Sequence, residues 1–126
     1  MKSTFYLLIL ALVIVALIGA GCQSLSLKYQ QSLKLAETTV THEATYVFDG
    51  DSSTLKLTKT QTLTAANSWT FTYTYNCRHA GYGDRAGQIL AQVITPHVAV
   101  ITVEQGKVAS AVLDGKWDMV LQQLIS

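Results

Sequence analysis

Residues 69–76 read WTFTYTYN, and this stretch decides the fold. Trp69, Phe71, Tyr73 and Tyr75 alternate strictly with Thr70, Thr72, Thr74 and Asn76. In a strand successive side chains point to opposite faces, so one face is a row of four aromatic rings and the other a polar ladder. The ring row is either the core or an exposed strip that stacks on a glycan or a partner. The aromatic parity extends to Cys77, which points this thiol into the core beside Tyr75.

Outward from this strand the texture stays β. Toward the C-terminus, Val98 to Glu104 is apolar on both parities, as in a central strand covered on two sides. Gln105-Gly106 makes a tight hairpin turn, and Lys107 to Leu113 returns. Toward the N-terminus, the chain is rich in threonine from Thr38 onward, and β-branched residues at that density favour strands. Thr39 to Phe48 is a first strand candidate, Asp49-Gly50-Asp51-Ser52-Ser53 is turn chemistry, and Thr54 to Thr64 is a second strand. Lys59 and Gln61 intrude on the apolar side of that second strand and mark it as an edge, a bulge or a break. Residues 88–95 fit a short helix ending before Pro96 or a bulged strand, and the strand is preferred for Val93 and Ile94. At the C-terminus Trp117, Val120, Leu121, Leu124 and Ile125 recur with helical spacing behind Asp114, an N-cap candidate. The expected architecture is mainly β (α+β), a twisted antiparallel sheet of about five strands with one C-terminal amphipathic helix packed on a face.

The loop from Cys77 to Gly87 concentrates the chemistry: a thiol, a histidine, two arginines, an aspartate, a tyrosine and glycines. Cys77 and His79 suit a nucleophile and base, but alternate positions of an extended chain point apart. Cys77, His79, Asp84 and His97 lack the spacing of recurrent metal sites. Gly81 to Gly87 is one residue too long for a dinucleotide fingerprint and lacks its βαβ context. The expectation is therefore no enzyme, no cofactor and no metal, with a glycine-rich connection in which Asp84 pairs with an arginine. His79, Tyr82, Asp84 and Arg85 are the candidate partner-binding groups, as exposed loop residues.

Charge excludes some partners. The chain has 9 basic and 8 acidic side chains and a formal charge of +1. Without Lys2 the two signs balance, so nucleic acid is not an expected partner.

The N-terminus places the protein. Lys2 is followed by an unbroken apolar run from Phe5 to Ile18, then Gly19-Ala20-Gly21-Cys22, the layout of a secretory signal peptide. The ending LIGAGC resembles the lipobox of bacterial lipoproteins, with Gly19 where that family normally has a branched aliphatic residue. The resemblance implies diacylglyceryl transfer to the Cys22 thiol, fatty acylation of palmitate type, and Cys22 as first mature residue. An uncleaved anchor helix and ordinary cleavage at the small pair Gly19 and Gly21 are the other readings. Gln23 after the cysteine implies sorting to the outer membrane of a Gram-negative envelope, facing the periplasm. With Cys22 lipid-bearing, Cys77 has no partner in the chain and is buried and inert, joined to another molecule, or reactive; the buried form is expected.

The expected organisation is a signal peptide over 1–21, a lipid-anchored tether over 22–37, read as an extended Ser- and Gln-rich spacer, and a β-rich domain over 38–126. Trp69-x-Phe71-x-Tyr73-x-Tyr75-x-Cys77, with Ile101, Val103, Gly106 and Val108, is loosely similar to small exported bacterial proteins of unknown function. Those proteins usually carry a second cysteine close to the first, which this chain lacks, and the similarity implies no activity. The functional expectation is a non-enzymatic envelope module that binds or scaffolds an envelope protein or cell-wall component. The alternative is a periplasmic inhibitor or exclusion factor acting on an incoming enzyme or mobile element.

Overall fold

The structure is a computed structural model that describes residues 24–126; the signal segment 1–21 and Cys22 lie outside the described residues. Its frame is an antiparallel meander with strands in chain order: β1 (Gly50–Thr62), β2 (Ser68–Cys77), β3 (Thr95–Glu104), β4 (Lys107–Leu113), β5 (Trp117–Asp118) and β6 (Gln123–Leu124). Two helices precede it, α1 over residues 24–42 and α2 (Ala44–Asp49).

β2 forms as its alternation dictates. Trp69, Phe71, Tyr73, Tyr75 and Cys77 are all buried, opposite Val103, Ile101 and Ala99 of β3. The aromatic row is thus the core, and Cys77 lies in it with no exposed surface. The other face of the sheet is open to solvent. Val98 and Val100 are exposed, so β3 is not covered on two sides as its apolar run suggests. β1 is an edge strand as Lys59 implies, and it bulges between Asp51 and Lys56. Within the bulge Ser53 donates to the Asp51 carboxylate, and the Thr54 hydroxyl accepts the Asn76 N–H that the ladder leaves free.

The covering layer comes from the N-terminal side, not from the C-terminus. Residues 24–42, expected as an extended tether running into a first strand over 39–48, form α1 instead. Its buried face is Tyr29, Ser32, Leu33, Ala36 and Val40, spaced i, i+3, i+4, i+7 and i+11. Small side chains occupy the middle of this face, so a search for large apolar residues passes over it. They let the helix lie close to the rings, with Tyr29 edge-on to Trp69 at 5.6 Å. Thr39 and Thr41 are tolerated in the helix because their hydroxyls donate to the carbonyls of Leu35 and Glu37 one turn back. Glu43 then leaves helical geometry and caps α2, its carboxylate accepting the Thr45 N–H.

The expected C-terminal helix is a hairpin. Asp114 and Gly115 both take left-handed φ, +53° and +65°, so they are the central residues of a hairpin turn rather than a helix cap. Lys116 N–H closes it on the Leu113 carbonyl. The chain reverses into β5, and Asp118 accepts the N–H groups of Val120 and Leu121 in the next turn. Val120, Leu121, Leu124 and Ile125, the supposed apolar stripe, are exposed. A stripe this short supplies too few turns to outweigh the hairpin geometry of Asp-Gly. The strand count is six because this hairpin adds β5 and β6 while the strand expected over 39–48 is helical. Gln105-Gly106 is a tight hairpin turn as read, with φ +49° and +77°. Residues 88–94 form neither helix nor strand.

One-sided burial has a direct test. Phe71→Ala empties a fully buried ring site and is expected to cost about 3–5 kcal/mol in urea unfolding, whereas Val100→Ala on the open face should change stability by less than about 0.5 kcal/mol. A comparable loss at Val100 would mean that the second face is covered.

Candidate functional site

The chemistry-bearing loop joins β2 to β3 at the end of the sheet where α2 lies, and it is built around Arg85. This side chain is 2% exposed. Its Nε donates to Gly83 O at 3.1 Å, Nη1 to His79 O and Ala80 O at 3.1 Å each, and Nη2 to Thr45 O and Asp49 Oδ1 at 3.0 Å each. A guanidinium has five N–H donors, so every one is used. Phe48 lies under its carbon at 4.6 Å, a cation–π contact that shields the group from water. Arg85 is therefore not an exposed loop group, and it pairs with Asp49 of α2, not with Asp84.

Asp49 joins the loop a second time. It accepts from His79 through both the backbone N–H, at 2.7 Å, and the ring Nδ1, at 2.8 Å. Burial opposes ionisation of Asp49, but the hydrogen bonds from His79 and Cys77 and the nearby Arg85 outweigh it and hold the carboxyl below its usual range. The same burial, with Asp49 beside it, pushes the Cys77 thiol up to about 12. Its Sγ also donates to the Thr45 carbonyl, at 3.6 Å. Such a thiol is protonated at neutral pH and a poor nucleophile.

A second hub lies alongside. Buried Glu43 accepts from the Thr45 N–H and hydroxyl, from Trp117 Nε1 at 3.1 Å and from Gln122 Nε2 at 3.0 Å. Thr45 Oγ1 in turn accepts the Gly83 N–H at 2.8 Å. Gly83 sits at φ +72°, where a Cβ would stand 3.1 Å from the Trp117 ring, so a side chain there is strained and crowds that ring. At Gly81, φ +103°, a Cβ would press on Arg85 Cδ at 2.9 Å. Two of the loop glycines thus serve the packing of Arg85 and Trp117.

Tyr82 stacks on Trp117, with ring centroids 5.7 Å apart, and donates its hydroxyl to Asp114. Burial, reinforced by this bond, pushes Tyr82 up to about 12. Asp114 also accepts from His97 Nδ1 at 2.6 Å and from the Val98 N–H, so the turn aspartate orders three groups. Among the described residues, His97 Nε2 and Tyr75 Oη are buried without a hydrogen-bond partner.

Of the four candidate loop residues, Arg85 is internal, His79 is bonded to Asp49, and Tyr82 is half-buried between Trp117 and Asp114. Asp84 is exposed and accepts only from the Ala86 N–H. The residues missed in sequence are Glu43, Thr45, Asp49 and Asp114, which lie far from the loop in the chain. In sequence Asp49 reads as turn chemistry and Asp114 as a helix N-cap; the signal available for Asp114 is its Asp-Gly pair with Gly115, which favours a hairpin turn.

The exposed part of the loop mixes apolar side chains with Arg78, Asp84, Gln88 and Gln92. Ile89, Val93 and Ile94 all face solvent, Ile89 completely, while Arg78 and Asp84 flank them. Among the described residues no group of three or more His, Cys, Asp or Glu side chains is placed to hold a metal ion. None of their helices is long and apolar enough to cross a membrane. No protein-family model, curated protein or solved structure matches the chain.

Arg85→Met removes the donor set while keeping the apolar stem and leaves Asp49 buried with one partner fewer. Urea unfolding is expected to show a loss of about 3–5 kcal/mol. Because Asp49 titrates lower in the fold than in the unfolded chain, its stabilisation is complete above the ordinary carboxylate range. It is lost as pH falls through the lowered folded value. Asp49→Asn should flatten that part of the acid profile; an unchanged profile would remove Asp49 from the account.

Proposed function

We propose that this chain is a lipid-anchored bacterial envelope protein whose folded part is a non-enzymatic binding or scaffolding module. The observation that carries the reading is the 78–94 loop: a pinned base and an uncovered apolar rim of Ile89, Val93 and Ile94. Several large apolar side chains left exposed above a rigid base favour a protein-binding surface. The acid, base and thiol groups of the same loop are hydrogen-bonded to one another or to backbone, which supports a positioning role for them over a catalytic one.

Placement adds to this. α1 meets Trp69 with Tyr29 near its start, and α2 meets Tyr75 with Tyr46. The loop follows Cys77, so it lies at the opposite end of the sheet from the start of α1. A domain anchored through Cys22 therefore presents Ile89, Val93 and Ile94 away from the bilayer, toward an envelope protein or cell-wall component.

Cys22→Ala is expected to abolish fatty-acid incorporation and release the protein from membranes; retained radiolabel would overturn the anchor. A photo-cross-linker at Asp84 should capture an envelope protein, and Ile89→Asp with Val93→Asp should abolish capture without changing the unfolding midpoint. Stoichiometric capture of one soluble enzyme would instead favour an inhibitor. Capture unaffected by the double variant would remove the apolar rim from the binding surface.

A further inference from the structure

The end of the sheet opposite the loop carries a cavity of about 570 Å³. Leu25 and Tyr29 of α1, Leu63, Ala65 and Ala66 of the β1–β2 turn, and Trp69 of β2 line it. Leu25 and Leu27 are more than half exposed, and the turn residues Thr64, Ala65 and Ala66 are exposed as well. From Thr60 to Asn76 the chain holds no charged side chain, so the turn can leave water without desolvating an ion.

Charge is distributed to match. Lys28 stands beside the turns at Asn67 and Gln105, and Lys107 follows Gly106 at the same end. Of the 8 acidic side chains, only Glu104 lies here. Glu37 and Asp118 lie near the middle, and Glu43, Asp49, Asp51, Asp84 and Asp114 belong to the opposite end. The end that holds the cavity is therefore the one that an anionic surface repels least.

Covalent geometry brings the anchor to this place. Only Gln23 separates Cys22 from the first described helical residue, Ser24, a span of at most about 7 Å. We propose that this end of the domain docks in the lipid bilayer interface. Leu25 and the 63–68 turn sit among the headgroups, acyl carbon fills the cavity beside Tyr29 and Trp69, and Lys28 and Lys107 face lipid phosphates. The proposal rests on the membrane-anchored reading and adds an orientation to it: the sheet stands on the bilayer by its Trp69 end and holds the 78–94 loop outward.

The test uses the full chain, purified with its lipid and reconstituted into phosphatidylethanolamine–phosphatidylglycerol vesicles. A nitroxide is attached at Ala66→Cys or, as the distal control, at Ala86→Cys; buried Cys77 stays unlabelled. Relaxation by dissolved oxygen relative to a water-soluble nickel chelate is expected to be several-fold higher at Ala66 than at Ala86, and Leu25→Asp should lower the Ala66 ratio. Vesicles that float with the protein but give equal ratios at the two sites overturn the docking and leave the anchor intact. Protein that does not float overturns both. Spin–spin broadening at Ala66 that persists in detergent assigns the cavity to a second copy of the chain and overturns the bilayer as occupant.

Discussion

The buried guanidinium of Arg85 is the constraint on which the functional end of this protein depends. It connects two parts of the chain that share no sheet pairing: the β2–β3 loop through its own carbonyls, and α2 through Thr45 near its start and Asp49 at its end. A buried cation is costly unless every donor is matched, and here every donor is. Lysine could not replace it, since an ammonium offers three donors from one point and cannot reach carbonyls on both sides of a plane.

The rest of the loop follows from that placement. Gly81 and Gly83 are needed because the side chain of Arg85 and the ring of Trp117 occupy the space that a Cβ would take. Glu43 repeats the logic beside it, tying α2 to the C-terminal hairpin through Trp117 and Gln122. The hairpin β5–β6 pairs only briefly with the sheet, through Val112 and Leu113, so these polar bonds and the Tyr82–Trp117 stack supply much of its attachment. Loop, short helix and hairpin are thus one hydrogen-bonded unit on the end of an aromatic core.

Much of the sheet was legible because period-2 alternation is a local signal. β2, the Gln105-Gly106 hairpin, the edge character of β1 and the burial of Cys77 all follow from neighbouring residues. The covering helix was not, because Ser32 and Ala36 carry its buried face and small residues register weakly against large ones. The C-terminal stripe misled for the opposite reason: Val120, Leu121 and Leu124 have helical spacing, yet Asp114 and Gly115 turn the chain before a helix can start. In the site, Asp84 was rightly an exposed loop group. Arg85 was not, because its burial depends on Thr45 and Asp49, whose nearness to the loop is a property of the fold rather than of spacing.

The most direct measurement of the central claim is hydrogen exchange at the Arg85 Nε–H and the Gly83 amide, followed by nuclear magnetic resonance. Both are buried and bonded, to Gly83 O and to Thr45 Oγ1. If Arg85 pins the loop, the two protons exchange slowly and together, with protection approaching that of the β2 amides. Exchange of either proton at the rate of an unstructured peptide would contradict the account, because the loop would then open independently of the core.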